Sequence, residues 1–528
     1  MTLLQSQTSR HLSWHATALV VMLAVGAWVR FHDIGGPSLW MDEIWSIEIA
    51  SGRDHAHDQL PTGILMTRQR DLTSLAGSPP WWRVWSARSD YTYPPLYPLL
   101  LRWWMDLFGN GAAAVRSLSA VFGLAAIAVM FDVCRWLHGR RTAFLAAGMM
   151  ALAVAQVDVA QEARSYALLI LLALGCCDLV VRIQALGPAP RRLVLLAIFT
   201  SATFLTHYLS LGVLAVLVLY ALVKLRGSQR RRTLSAFAVG AALTALLWAV
   251  PFYHQVRDFP TGTPNFLREA VPYHKEYTLR RVVGLPGEFL LGEIDAERIF
   301  RSPSPSDRVL TGILLAAAVF TLVLPFLRLF HRRDLLIWSA WLLGTIGVVA
   351  AVDLTHGTTL SGYIRYTILA SPAVYAVIAS FRWPARPLLR DGVALVVLAW
   401  VAITAVQRLH QPAPPKEDWR QLAAALDANA SRDDLVVYFN EDPWVAPGTW
   451  YMCLRYYLPE SNRAWLLLRS RPDAALLRQL QSRDHLWLIG LYPAADGPEL
   501  LPGWRPAGPE LRTTAGAICL MVPSRRGG

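Results

Sequence analysis

Long apolar segments recur through the first 410 of the 528 residues, most of them near bilayer-spanning length and separated by short polar turns. A spanning helix needs roughly 20 apolar residues. The segments fall at 13–30, 112–134, 142–158, 163–181, 191–206, 208–225, 233–252, 308–328, 334–352, 363–381 and 391–409. A chain in lipid must satisfy every backbone N–H and C=O internally, so these segments are expected to be helices. With 54% hydrophobic and 16% charged residues, the chain is not built for water. The expected fold class is mainly α: a polytopic membrane helical bundle of about eleven transmembrane helices, followed by a small C-terminal α/β extracytoplasmic domain.

The formal net charge of +13 would suit a nucleic-acid partner, but its distribution argues against one. Residues 411–528 hold thirteen basic and thirteen acidic residues, so the whole excess lies in the apolar part. There it forms short runs between apolar segments: Arg135, Arg140 and Arg141; Arg182, Arg191 and Arg192; Lys224 to Arg232; Arg328 to Arg333; Arg382 to Arg390. That is the pattern of cytoplasmic loops under the positive-inside rule.

With the N-terminus inside, the segment after Arg10 is expected to act as a signal anchor. Every arginine-rich run then faces the cytoplasm, and an odd number of spans puts the tail outside. The expected domains are a transmembrane unit, 1–410, with extracytoplasmic loops at 31–111 and 253–307, and a second unit, 411–528, entered through a proline-rich linker. The short apolar stretch 94–109 contains Arg102 and Asp106, and counting it as a span would invert every later loop. We place it as an interfacial helix, a depth that suits Trp103 and Trp104. In the tail, helices near 419–428 and 450–458 alternate with strands near 434–440 and 485–490, which implies a small α/β unit.

Polar residues at the ends of apolar helices are costly and are functional candidates for that reason. Four groups share the outer face. Asp42 and Glu43 lie between Trp40 and Trp45, where a carboxylate among aromatics can serve as a general base; a solvated acid pair in an aromatic belt is the plainer reading. Tyr93 and Tyr97 flank paired prolines, which also make a simple helix stop signal. Gln161, Glu162 and Arg164 occupy the turn between the third and fourth spans; Arg164 invites an anion such as a phosphate, or a salt bridge to Glu162 or Asp158. His207 and Tyr208, and Arg365 with Tyr366, stand at later helix ends, where Arg365 is a second candidate phosphate clamp or snorkels to headgroups.

The five cysteines show no metal-ligand spacing, and a bridge between Cys453 and Cys519 is left open. The segment His55-Ala-His57-Asp58 has the residue types of a metal site, but it reads as an exposed loop in which such spacing is commonly accidental. No metal is expected there.

Taken in order, the blocks SLWMDE (38–43), YPPLY (93–97), AAAVRSLSAVFG (112–123), QEARSYAL (161–168), the THY at 206–208 and the late RY pair resemble the GT-C superfamily of membrane glycosyltransferases. The likeness is to the branch of protein O-mannosyltransferases and lipid A aminoarabinose transferases. It implies an inverting transfer of a monosaccharide from a polyprenyl-phosphate carrier to a protein, lipid or polysaccharide hydroxyl on the periplasmic face. Asp42 would then be the base, supported by Glu43, with Arg164 and Arg365 meeting the phosphate and Tyr93, Tyr97, Gln161, Glu162, His207, Tyr208 and Tyr366 lining the donor site. Where many relatives carry histidine before the prolines this chain has Tyr93, so no required metal or other cofactor is expected.

The lysine-poor, arginine-rich composition suits a bacterial inner membrane, and membrane lipids are the expected surroundings. A lipid-carrier flippase or secondary transporter is the alternative, but the inverted repeat usual in transporters is not found. A third possibility is a non-catalytic assembly partner whose tail serves as a docking module.

Overall fold

A computed structural model describes residues 2–85, 94–258, 275–292, 305–323, 335–381, 391–410, 416–441 and 446–524. Tyr93, the linker at 411–415, most of the loop 253–307 and the basic runs at 328–333 and 382–390 lie outside the described residues. The chain divides into two compact units. The first comprises Met1–His32, Asp90–Tyr97 and Arg116–Pro412, and the second Asp33–Ser89, Pro98–Val115 and Ala413–Gly528. Contacts thus group most of the first loop with the tail, whereas the sequence drew its boundary at 410/411.

In the first unit most of each of the eleven apolar segments is helical among the described residues. The early helices are α1 Thr2–Phe31, α4 Ala112–His138, α5 Arg140–Leu152, α6 Val154–Ala160, α7 Tyr166–Leu186, α8 Pro190–Phe204, α9 Ser210–Lys224 and α10 Gly227–Asp258; α2 Met41–Ala50 and α3 Leu96–Phe108 belong largely to the second unit. Helices at Leu336–His356, Ser371–Ser380 and Gly392–His410 follow. Among the described residues six helices are long and apolar enough to cross a membrane, or seven if the bent pair α5–α6 is one span. The segment expected as one helix over 142–158 is broken by 59° at Ala153, whose ψ of 124° leaves the helical region. That over 363–381 is broken likewise, into Ile364–Thr367, a 3₁₀ turn and Ser371–Ser380.

Large apolar side chains such as Leu246, Val250 and Val396 point outward. This is the exposure a lipid-facing surface requires. Inside, Met130, Cys134, Met149, Cys176, Trp338, Trp341 and Tyr375 share one core. Small residues set helix spacing where side-chain packing rather than water drives association. A Cβ on Gly212 of α9 would lie 2.4 Å from the Gly344 carbonyl, so these two helices touch through backbone.

The second unit holds α2 Met41–Ala50, most of α3 Leu96–Phe108, and the tail. The tail's sheet runs β2-β1-β3-β6-β4, with β1 Leu435–Phe439, β2 Ala464–Leu468, β3 Leu486–Gly490, β4 Trp504–Pro506 and β6 Gly516–Pro523; β5 Leu511–Thr513 pairs β6. β1 lies parallel to β2 and β3, while β6 returns antiparallel to β3. Its core includes Leu435, Val437, Leu466, Leu488, Cys519 and Met521. Cys453 and Cys519 are both buried and unbridged. First-loop residues extend the sheet: Met66 and Trp465 exchange N–H···O bonds of 2.9 and 2.8 Å.

Candidate functional site

In the second unit, α2 presents the acid pair in its first turn, where carboxylates complement the positive helix end. The Glu43 carboxylate folds back to accept the Trp40 N–H at 3.3 Å, and Glu43 is fully buried. Glu43 therefore shapes the helix start that carries Asp42. Two groups that sequence reasoning missed complete this start. Glu417 accepts the Met41 N–H at 2.7 Å and the Trp419 indole N–H at 2.6 Å. The Tyr457 hydroxyl accepts the Leu39 N–H at 2.6 Å. Lys416 adds its ammonium over the Trp40 ring at 4.3 Å.

Burial raises the Glu417 carboxyl above its usual range despite the opposing hydrogen bonds from Trp419 and Met41, and the charge of Asp42 pushes it further up. The charged triplet Lys416-Glu417-Asp418 at the head of the tail was the available signal. Only Asp418 has a role readable from local sequence, capping the helix Trp419–Asn429 by accepting the Gln421 N–H at 3.0 Å.

In the first unit, three of the expected residues, Tyr97, Arg164 and His207, converge, with Tyr166 beside them. Tyr97, nearly fully buried, hydrogen-bonds through its hydroxyl to Ser119 Oγ at 2.9 Å, and Ser119 donates to the Arg164 carbonyl at 3.1 Å. The residue before Tyr97 is tied to the Thr206-His207-Tyr208 break by the Leu96 N–H, which reaches the Leu205 carbonyl at 2.9 Å. The His207 ring lies 5.8 Å from that of Tyr166, tilted by 35°. Burial first, and then the positive charge of Arg164, depress the His207 pKa to about 4. Its Nδ1 accepts the Leu209 N–H at 3.2 Å, so the neutral ring carries its proton on Nε2. A buried guanidinium beside a neutral imidazole donor is an arrangement suited to an anionic oxygen.

Gln161 does something else. Its amide nitrogen donates to the carbonyls of Val29, Arg30 and His32 at 3.1–3.3 Å, closing the end of α1. Glu162 lies in the same turn, its carbonyl accepting the Arg164 N–H at 2.8 Å, and Asp158 pairs with Arg408 at 3.0 Å. Tyr208 accepts the Trp248 indole N–H at 2.9 Å.

Arg365 lies against Tyr363 and Tyr366, its guanidinium carbon 4.8 and 5.2 Å from the ring centres. The turn before it is held by residues that no pattern in the sequence singles out. Buried Asp353 accepts from Thr358, the Leu360 N–H and the Ser361 N–H at 2.6–2.9 Å. Arg281 donates to the Gly362 carbonyl at 3.0 Å and to Glu288 Oε2 at 2.8 Å, with its other terminal nitrogen in ionic contact with Glu288 Oε1 at 2.8 Å.

These features define a multi-pass membrane protein with a helical bundle, cationic and aromatic side chains at helix breaks, and a small α/β domain. Residues 92–254 match the dolichyl-phosphate-mannose-protein mannosyltransferase family. Among solved structures, the Archaeoglobus fulgidus oligosaccharyltransferase tethered with an acceptor peptide aligns at a TM-score of 0.52 and 11% identity, over 92% of this chain and 70% of that one. AglB of the same organism, in complex with an inhibitory peptide and a dolichol-phosphate, aligns at 0.50 and 12% over the same shares. ArnT from Cupriavidus metallidurans bound to undecaprenyl phosphate aligns at 0.47 and 17%, over 96% of this chain and 98% of that one. No curated protein sequence matches. The chain has the GT-C fold of membrane glycosyltransferases, as its sequence blocks implied.

Proposed function

We propose that this protein is an inverting glycosyltransferase that moves a monosaccharide from a polyprenyl-phosphate carrier to an acceptor hydroxyl at the periplasmic face of a bacterial inner membrane. In this reading Asp42 takes the acceptor O–H proton as its oxygen bonds to the sugar's anomeric carbon. The bond from that carbon to the carrier phosphate breaks, and the electron pair leaves with the lipid phosphate. Arg164 and Arg365 stabilise the charge that develops there, with His207 as a neutral donor, and no cofactor takes part. The N-terminus is cytoplasmic and the tail periplasmic.

The observation that carries the reading is the convergence of Tyr97, Arg164, Tyr166 and His207 within the stretch that matches a family of lipid-phosphate-sugar-dependent enzymes. The dolichol-phosphate held by AglB, a protein of the same fold, supports a polyprenyl-phosphate donor. The test uses purified protein, a panel of radiolabelled undecaprenyl-phosphate monosaccharides and membrane extract as acceptor. Asp42→Asn is expected to lower transfer by about 10²- to 10⁴-fold, the usual worth of a general base. Equal transfer by wild type and variant removes Asp42 from the mechanism; no transfer from any donor removes the enzyme reading.

A further inference from the structure

The segment read from sequence as an exposed loop is neither exposed nor loose. His57 is 1% and His55 5% exposed, and both sit on a 3₁₀ turn, Ala56–Gln59, and its N-terminal flank. The turn is clamped in place: a Cβ on Gly448 would come within 2.0 Å of the His57 carbonyl. Asp54, at the entry to the turn, holds a left-handed φ of 57°, a conformation costly for a non-glycine residue and one that needs surrounding structure to maintain it.

We propose that His55, His57 and Asp58 form a binding site for one divalent transition-metal ion of the zinc class. The ligand atoms of the three residues lie within 4.8 Å of one another. His57 Nε2 is 3.4 Å from one Asp58 oxygen, and His55 Nδ1 is 3.7 Å from the other. Ligands about 2.0–2.1 Å from a tetrahedral zinc stand roughly 3.3 Å apart, so the side chains need only small shifts to close on an ion.

The second observation concerns the proton on His57. Its Nδ1 lies 2.5 Å from Oε2 of Glu48, a fully buried acid of α2 whose Oε1 also accepts the His57 backbone N–H at 2.9 Å. That contact places a proton between Nδ1 and Glu48 and turns Nε2, buried and without a hydrogen-bond partner among the described residues, toward Asp58. A carboxylate that orients a histidine through its far nitrogen is the usual outer support of a metal ligand. Trp45 lies flat against His57, centroids 5.5 Å apart, and walls off one side. The Asp58 side chain is 45% exposed, which gives an ion a way in and leaves room for water as a fourth ligand. Two imidazoles and one carboxylate select zinc, cobalt or nickel over magnesium or calcium, which take oxygen ligands.

Six residues separate Asp42 from Glu48 on α2, roughly 9 Å along the helix, so this site is distinct from the acid pair. The inference does not depend on donor, acceptor or reaction. Its test therefore reads metal content. Full-length protein without a histidine tag is stripped with a chelator, titrated with Zn²⁺ alone, desalted and assayed for metal; Co²⁺ alone serves as the spectroscopic probe. Wild type is expected to retain one equivalent of zinc and to show the intense visible absorption of tetrahedral cobalt. Asp58→Asn, at a partly exposed position, and His57→Ala are each expected to lose that equivalent, and Glu48→Gln to bind about 10- to 100-fold more weakly. Zinc is further expected to raise the unfolding temperature of wild type and not of Asp58→Asn. Failure of wild type to take up metal overturns the proposal, as does retention by Asp58→Asn at wild-type affinity.

Discussion

The turn at Gln161–Tyr166 and the start of α2 solve the same problem, a polar group held at a helix end, by different means. In the turn the partners come from apolar segments that sequence already marked: Ser119 of α4 and the last carbonyls of α1, both read as spans, and Tyr97 beside its prolines in the interfacial helix. At the start of α2 they come from the other end of the chain, Glu417 and Tyr457, 376 and 418 residues away. Polar chemistry within a bundle can thus be found from hydropathy, because each polar residue interrupts an apolar pattern. In a loop-and-sheet domain a polar residue interrupts nothing, and its partner is visible only in three dimensions.

The contrast is sharpest where the first unit commits most to a buried pair. Arg281 and Glu288 are each nearly inaccessible and hold the turn that precedes Tyr363 and Arg365. Glu288→Ala leaves the guanidinium buried and uncompensated, at a cost of about 3–5 kcal/mol. A large fall in folded yield and in unfolding temperature is expected, with Arg281→Met/Glu288→Leu recovering much of the stability but not the position of the turn. Wild-type stability in Glu288→Ala would show that bundle polar groups are as replaceable as those of a surface loop. In the second unit, Tyr457→Phe removes one acceptor from the Leu39 N–H and is expected to cost only about 1 kcal/mol. Limited proteolysis of the 33–89 segment, faster in the variant by no more than about tenfold, checks it; a collapse like that of Glu288→Ala would mean the loop depends on this bond more than its geometry implies.

Legibility follows the same line. The eleven apolar segments were readable because a lipid-facing helix must be long and apolar, and most of each is helical among the described residues. The break at Ala153 was not, since no proline or glycine marks it; that within 363–381 had a signal in Pro372, which opens the helix Ser371–Ser380, and the two breaks are tied by Gln156 donating to Ser371 at 2.6 Å. In the tail, β1 and β3 stood out as apolar runs bounded by polar residues. β2 was passed over because Ala464–Leu468 reads equally as the end of a helix, and it becomes a strand by pairing with β1. Among site residues, Arg164 and His207 were legible as polar groups at helix breaks. Gln161 looked the same in sequence and serves the backbone of α1. The buried state of His55 and His57 was invisible, because Glu48, Trp45 and Gly448, which enclose them, fit no periodic pattern shared with the turn.

The smallest effect expected is a slope rather than a loss. Glu417 has a carboxyl raised above the ordinary value of 4.5, chiefly by burial and further by Asp42, so in the unfolded chain it releases its proton at lower pH than in the folded protein. For an acid shifted in this direction, folding is not penalised below the unfolded value. The penalty grows as pH climbs through the interval between the two values and is constant above it. Glu417→Gln has no such proton to lose. The stability of wild type relative to Glu417→Gln is therefore expected to fall as pH rises from about 4.5 through the raised value and then to level off, measured as the difference in unfolding temperature across a pH series. Asp42→Asn removes one of the causes and should flatten the slope in an otherwise wild-type chain. A difference that rises with pH would mean the hydrogen bonds from Met41 and Trp419 outweigh burial. Glu417 would then hold the start of α2 as a stabilised anion, as the helix dipole alone would favour.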